Sequence, residues 1–512
     1  MFTDELRCNV WNDIRQRDIR AFSKQLTPAV VAKAAVRAGV KLGKGPLHLA
    51  NLAWLGISLA IHSTQSFASI LTMTLKLLED QEQSAAELHK LKKQGKRRLP
   101  KERSKHDPRR SDPTVVSDAA FAKARQRMPM NFWVELIILL GEEFERQHGA
   151  MHYFRGFRVL AMDGTRIDLP ECKALSAHFG TAKNAFGRQH PQARMVMLQF
   201  PFTRLPWRYE LAPLSYGENT LAMRLAAHLR PRDLVLLDAG FWSYGLLWAI
   251  QNRGAFFALR LKSGINFVTS KRLGGSERLA RWTPKDSRGN WRKMGLPKSI
   301  DLRVIEYRVP GFRRQAIVTN VLSQREISAN DWTRLTTSCQ DAQRKLMPPG
   351  LFHRRWEIET SYYEMKVVQG MEGQLRSHVP ESVAYEIAGH VVLYLLVRWL
   401  MVEAAVKHGL DPLRLSFLDA FRELQLMRSA LLTASPRWAS TVLLPRLLER
   451  IAEHQVPERP GRHYPRRKKS KADKTKKKPH TKRTKFRTRK HPAKGKAHNA
   501  KSKSRNKFRK QG

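Results

Sequence analysis

The chain has 512 residues, enough for about three domains, and carries 94 Lys and Arg against 44 Asp and Glu, a net charge of +50. The last 52 residues hold 24 basic residues and one acid, but the preceding 460 still hold 70 against 43, so a folded body this basic calls for an anionic partner, nucleic acid first. No apolar run reaches the roughly 18 uncharged residues of a spanning helix, which argues against a membrane, and the opening MFTDELRCNV has no apolar core of a secretory signal. Three scattered cysteines, Cys8, Cys172 and Cys339, match neither a disulfide framework nor a zinc spacing. A reduced, cytoplasmic protein is expected.

Residues 1–150 read as helical. Leu26 to Leu42, Ala50 to Leu59 and Ser66 to Leu91 are the first helices, and Lys92 to Pro113 is a basic linker. Ser117 is placed to cap the helix SDAAFAKARQRM, and Asn131 opens the amphipathic helix FWVELIILLGEEFERQ. No helix-turn-helix signature stands out. From Arg155 the texture changes to β-branched, aromatic and apolar runs: FRVLAMDG, ARMVMLQFPF and LPWRYELAPL. Then follow a helix (Glu218 to Leu229), the strand LVLLDAG, a helix (Tyr244 to Arg253) and the strand AFFALRLK. This order predicts an α/β sheet of mixed direction over residues 151–262. Residues 263–347 alternate in short stretches between Gly, Pro and Asn turns and read as a β-rich insertion. Helices return over 348–410 and 411–456, including a long one from Pro380 to His408. Its apolar half, from His390, is interrupted by Arg398 and Glu403, so it reads as a buried or amphipathic helix. The tail, 457–512, is lysine-rich and nearly devoid of apolar residues, so it is expected to stay disordered.

Within this frame, Gly350 to Gly370 (GLFHRRWEIETSYYEMKVVQG) reads as one helix between breakers. At about 100° per residue, Ile358, Tyr362, Met365 and Gln369 share a core-facing stripe, while Phe352, Arg355, Glu359 and Lys366 share the one beside it. A carboxylate between two cations suits work on phosphates. Two further acids follow apolar strands, Asp163 after RVLAM and Asp238 after LVLL, where α/β sites open. Three carboxylates form a hard ligand set suited to Mg²⁺ or Mn²⁺, and two such ions can activate one oxygen and stabilise another in phosphoryl transfer. Asp168 and Asp233 read as structural, and His353, His378 and His390 lack a metal-binding spacing.

These motifs resemble the DDE transposases of the insertion-sequence-4 family. The family's first acid lies in Asp-Gly-Thr, here Asp163-Gly164-Thr165. Its second precedes Gly-Phe/Tyr, here Asp238-Ala239-Gly240-Phe241. Its third lies in Tyr-x2-Arg-x3-Glu-x6-Lys, here Phe352-x2-Arg355-x3-Glu359-x6-Lys366, with Phe in place of Tyr. The resemblance covers roughly Phe154 to Val406. It implies an RNase H-like core interrupted by a β-rich insertion, and an N-terminal DNA-binding region. It implies catalytic and metal-ligating roles for Asp163, Asp238 and Glu359 with two divalent ions, and DNA contacts by Phe352, Arg355 and Lys366. The activity implied is binding of terminal inverted repeats by a homodimer, cleavage through a DNA hairpin, and strand transfer into target DNA. A flipped base would stack on Trp242, Trp282, Trp291 or Trp332. The rival readings are a transposase-derived DNA-binding protein that no longer cuts and a metal-dependent nuclease without strand transfer.

The tail generates a prediction of its own. Deleting residues 461–512 should weaken binding to random duplex DNA and flatten its salt dependence, since the logarithmic slope is about −0.9 per phosphate neutralised. Preference for the element's ends should survive. Titrations of both DNAs at several salt concentrations check this, and loss of the preference would make the tail part of the specific reader.

Overall fold

Phe157 to Met162 are six consecutive buried residues, and so are all five of Asp233–Leu237. Strands without an exposed alternate residue must be covered on both faces, which marks the centre of an α/β sheet. The computed structural model describes residues 22, 24–41, 47–62, 118–183, 189–285, 290–308, 314–334, 350–434 and 436–457. The expected helix over 66–91, the basic linker, the Ser117 cap and the tail beyond residue 457 lie outside them.

The helices before the sheet are α1 (Pro28–Arg37), α2 (Leu49–Ile61), α3 (Asp118–Gln126) and α4 (Met130–His148). Thr27 caps α1, its hydroxyl accepting the Val30 amide at 3.2 Å ahead of Pro28 in the first turn. The sheet contains β1 (Phe157–Asp168), β2 (Gln189–Phe200), β3 (Leu205–Pro213), then α5 (Glu218–Ala226), β4 (Asp233–Leu237), α6 (Tyr244–Asn252) and β5 (Phe256–Arg260). The later region adds β6 (Val268–Gly274), β7 (Glu277–Trp282), β8 (Ile300–Tyr307) and β9 (Gln315–Thr319).

The strand order is β3-β2-β1-β4-β5-β9-β8-β7-β6, with two short strands, Tyr153–Phe154 and Thr181–Lys183, at the side. β1, β2 and β3 run antiparallel, β4 and β5 run parallel to β1, and β9 to β6 continue antiparallel. This is the mixed sheet expected for 151–262. The strands of the 263–347 region extend the same sheet beyond β5.

The expected single helix over Gly350 to Gly370 is built differently. A 3₁₀ segment (Leu351–Trp356) leads into α7 (Glu357–Tyr363), and the chain then widens into a π turn (Glu364–Val368), closed by the Gln369 amide donating to the Glu364 carbonyl at 2.8 Å. The widened turn coincides with the burial of Glu364 between two arginines. Gly370 ends the segment in the left-handed conformation (φ 77°).

Helix α8 (Pro380–His408) is as read from the sequence, with proline in its first turn and Gly409 left-handed at its end. It is the one helix among the described residues long and apolar enough to cross a membrane, yet 94% of its apolar window is buried inside the protein. Two more helices, α9 (Phe417–Thr433) and α10 (Leu444–Glu453), pack beside it.

All thirteen residues of α2 are buried, chiefly against α8. The DNA contacts expected of residues 1–150 therefore cannot lie on α2. The two helices cross where Gly389 meets Gly56: a Cβ on Gly389 would collide with the Gly56 carbonyl oxygen and lie 2.8 Å from its carbon. Backbone cannot yield as a side chain can. Gly389→Ala should therefore lower stability by about 2–3 kcal/mol, read as a fall in melting temperature, whereas Gly39→Ala, with open space around it and only its left-handed φ of 68° against it, should cost the smaller amount of about 1–2 kcal/mol.

Candidate active site

Asp163 and Asp238 meet because of strand register. β1 pairs with β4 in parallel from Arg158↔Asp233 to Met162↔Leu237, and the next residue on each strand is the aspartate. For Asp238 the expectation of a strand end holds, because β4 stops at Leu237. For Asp163 it does not. β1 continues to Asp168, paired with β2 (Asp163↔Met197 through Asp168↔Gln192), so Asp163-Gly164 is not a turn. What ends at Asp163 is only the pairing with β4, and that opens one side of β1. Gly164 leaves room there for the Glu218 side chain, which would stand 3.0 Å from an added Cβ and have to give way.

The segment 351–368 crosses this opening. Its predicted core stripe is buried: Ile358, Tyr362, Met365 and Gln369 are all at or below 6% exposure. The Tyr362 hydroxyl donates to the Asp163 carbonyl at 2.7 Å, pinning α7 to β1 beside the acid. On the adjoining stripe, Arg355 reaches both other carboxylates, with 3.8 Å to Asp238 and 3.5 Å to Glu359. Lys366 lies further along, donating to the Arg166 carbonyl at 2.7 Å. Phe352 is buried in the core beneath the helix. The DNA contact implied for it finds no support in that placement, since a ring without a hydroxyl gains more by packing than by facing water.

Burial pushes the Asp163 carboxyl up to about 6, and the negative charges of Glu359 and Asp238 push the same way. The Gly164 amide, donating to Asp163 Oδ1 at 2.9 Å, and the Arg355 guanidinium pull against them. Asp163 is thus within electrostatic reach of Glu359, Asp238 and Arg355, with burial the main reason its charge is disfavoured. Among the described residues no three His, Cys, Asp or Glu side chains stand close enough to grip an ion together. The donor chemistry of Asp163, Asp238 and Glu359 is all carboxylate oxygen, which is the type that hard divalent cations take.

The remaining residues singled out in the sequence fall away from this opening. Asp233 is fully buried and takes a bidentate pair from Arg158 at 2.7 and 2.8 Å. Asp168 accepts the Gln192 amide at 2.6 Å. His390 is buried and pushed down to about 3, so it stays neutral. Trp332 and Trp282 are buried, whereas Trp242 and Trp291 are half-buried. Trp242 meets Trp282 edge-on at 5.0 Å, four residues beyond Asp238.

One set of residues was not anticipated. Glu364, in the π turn, accepts Arg398 of α8 at 2.6 Å, Arg204 at 2.8 Å and the Tyr394 hydroxyl at 2.7 Å, and Arg204 also donates to Glu357 at 2.7 Å. Arg204 sits in the β2–β3 turn with φ of 58°. The signal was Arg398 itself: a guanidinium inside an apolar helix demands a buried acid.

The family described as "Transposase DDE domain" matches residues 155–396, the span that contains all three acids. The chain is 27% identical over 377 residues to the transposase InsG for insertion sequence element IS4 of Escherichia coli (strain K12), covering 69% of this chain and 80% of that one. It is 25% identical over 149 residues to the putative transposase InsZ of the same organism, 27% of this chain and 48% of that one. A cryo-EM structure of a piggyBac transposase synaptic complex with hairpin DNA is similar over 87% of each chain at 10% identity, with a TM-score of 0.35, too slight a likeness to argue from. The domain match and the longer relative together support a DDE transposase, of the insertion-sequence-4 type.

The raised Asp163 group has a stability consequence. Its folded-state value, about 6, lies above the ordinary 3.8, so the charged carboxylate destabilises the fold fully above pH 6 and ceases to do so as pH falls towards 4. Asp163→Asn, which keeps the oxygen that accepts the Gly164 amide, should stabilise the metal-free protein by about 2–3 kcal/mol at pH 8. The gain should vanish near pH 4. Melting curves of both proteins in chelator across that range check it, and a gain that does not depend on pH would contradict it.

Proposed function

We propose that the protein binds the terminal inverted repeats of its own element as a homodimer and cuts and joins DNA there, through a hairpin intermediate, with Asp163, Asp238 and Glu359 holding two Mg²⁺ or Mn²⁺ ions. The observation that carries this reading is the pair Asp163 and Asp238, set side by side where the β1–β4 ladder stops, with Glu359 reached through the same guanidinium as Asp238. The strand order β3-β2-β1-β4-β5, with β1 to β3 paired antiparallel and β4 and β5 parallel to β1, supports an RNase H-like core for residues 151–262 and 348–410. The excess of 50 positive charges supports DNA as the partner, and the setting would be the cytoplasm, on nucleoid DNA.

Divalent ions bound here would activate the attacking oxygen and stabilise the leaving one. The chain's own groups do the rest. Arg355, buried but bordering two carboxylates, offers a guanidinium fork to a phosphate at the opening. Lys366 supplies a point charge further along β1. Trp242 and Trp291 are the half-buried rings on which a displaced base would stack.

The test uses DNA flanking the gene as substrate for the full-length protein with Mg²⁺. Wild type should nick and join at a repeat near each end. Asp163→Ala, Asp238→Ala and Glu359→Ala should each lose about a thousandfold or more in cleavage rate with binding nearly unchanged. Any one of them cleaving at the wild-type rate would remove that residue from the ligand set. Hydrolysis without joining would instead indicate a nuclease.

A further inference from the structure

The last cation of the site segment does not stand free. Lys366 Nζ donates to the Arg166 carbonyl at 2.7 Å and to Thr165 Oγ1 at 3.5 Å, and it pairs with Glu372 Oε1 at 3.1 Å. An ammonium has three donors, so all three are engaged, two of them on β1 just past Asp163. The same Glu372 oxygen also accepts the Asp168 amide at 3.0 Å. Glu372 therefore ties the lysine to the end of β1.

The backbone makes this possible. Glu372 lies between Gly370 (φ 77°) and Gly373 (φ 86°), both in the left-handed region that glycine tolerates, and its own φ and ψ (−89°, 128°) are extended. The chain leaves the π turn, kinks, presents one extended residue, and kinks again. That residue's carboxylate is thrown back onto β1 and onto Lys366, four residues after the π turn ends at Val368.

We propose that Glu372 is a positioning residue for Lys366: it fixes the ammonium over Thr165 and Arg166, so that a DNA phosphate entering beside Asp163 meets a cation already aimed. The inference rests on the transposase reading for what Lys366 meets, but not for how Lys366 is held. The most replaceable partner is Thr165, at 3.5 Å, and a phosphate oxygen takes its place while Arg166 and Glu372 keep their bonds. Glu372 also offsets the charge of Lys366. Removing its charge therefore has two opposite effects, a stronger pull on phosphate and a poorer aim.

Glu372→Gln in the full-length protein tests this, because the amide oxygen still accepts the Asp168 amide and the fold is kept. Residue-resolved reductive methylation, read by mass spectrometry without DNA, should show Lys366 reacting at least threefold faster in Glu372→Gln, with Lys407 unchanged as an internal standard. Equal rates at Lys366 would overturn the proposal. On DNA flanking the gene, Glu372→Gln should cut at least tenfold more slowly while binding as tightly as wild type or more so. In a Lys366→Ala background the same substitution should leave the residual rate unchanged. A parallel loss of binding, cleavage and melting temperature would mean a merely structural role and would also overturn it. Adding DNA should shield Lys366 from methylation in both proteins. If Glu372→Gln speeds methylation but DNA gives no shielding, Glu372 holds Lys366 as stated and the transposase assignment of that lysine is what fails.

Discussion

The parallel pairing of β1 with β4 is the constraint on which the site depends. A parallel ladder can slide, and a slip of one residue would turn every side chain to the opposite face. Here it is fixed at its first pair. Arg158 and Asp233 are register partners on the two strands, and their buried side chains form a bidentate ion pair, with Glu145 of α4 accepting from Arg158 at 2.7 Å. Such a pair contributes little net stability against an apolar replacement, but it leaves a buried charge unmatched in any other register. Five pairs along, the same register brings Asp163 and Asp238 level.

The third acid comes from distant sequence and is held by different means. Glu359 stands on α7, which is fastened to β1 by Tyr362 and to α8 and the β2–β3 turn by the cluster of Glu357, Glu364, Arg204, Arg398 and Tyr394. Two acids and two arginines balance within a buried space, so removing one leaves a charge without a partner. Behind them α8 is clamped to α2 at the Gly56–Gly389 crossing. The described N-terminal helices thus help to build the wall against which the site segment is set, whatever else the region does.

Charge divides this molecule between its surface and its site. The chain as a whole draws phosphate, yet at the point where strands β1 and β4 part, burial, with the nearby charges of Glu359 and Asp238, raises the Asp163 group. A phosphate drawn in by the field of the whole chain meets local repulsion there. Arg355, which borders both Asp238 and Glu359, offsets part of that repulsion. The arrangement makes sense for chemistry on a phosphodiester and little sense for a surface that only binds DNA.

The sequence by itself determined a good deal. Runs of apolar residues fixed β1 to β5, helical periodicity fixed the buried face of the 358–369 stretch, and the helix from Pro380 to His408 was bounded by its proline and glycine. Those signals are local, carried by hydrogen-bonding geometry and by which residues shun water. The three acids and two cations stood out as candidates because their types and spacings are themselves the pattern. Tertiary structure decided the rest. Only the pairing partners show that β1 runs past Asp163, that Phe352 turns inward, that α2 is buried, and that the site segment passes from a 3₁₀ to a π turn. Arg204, Glu364 and Glu372 carry no local mark, since a charged residue in a turn or on a helix looks like a solvated one until its partner, tens to hundreds of residues away, is brought against it by packing.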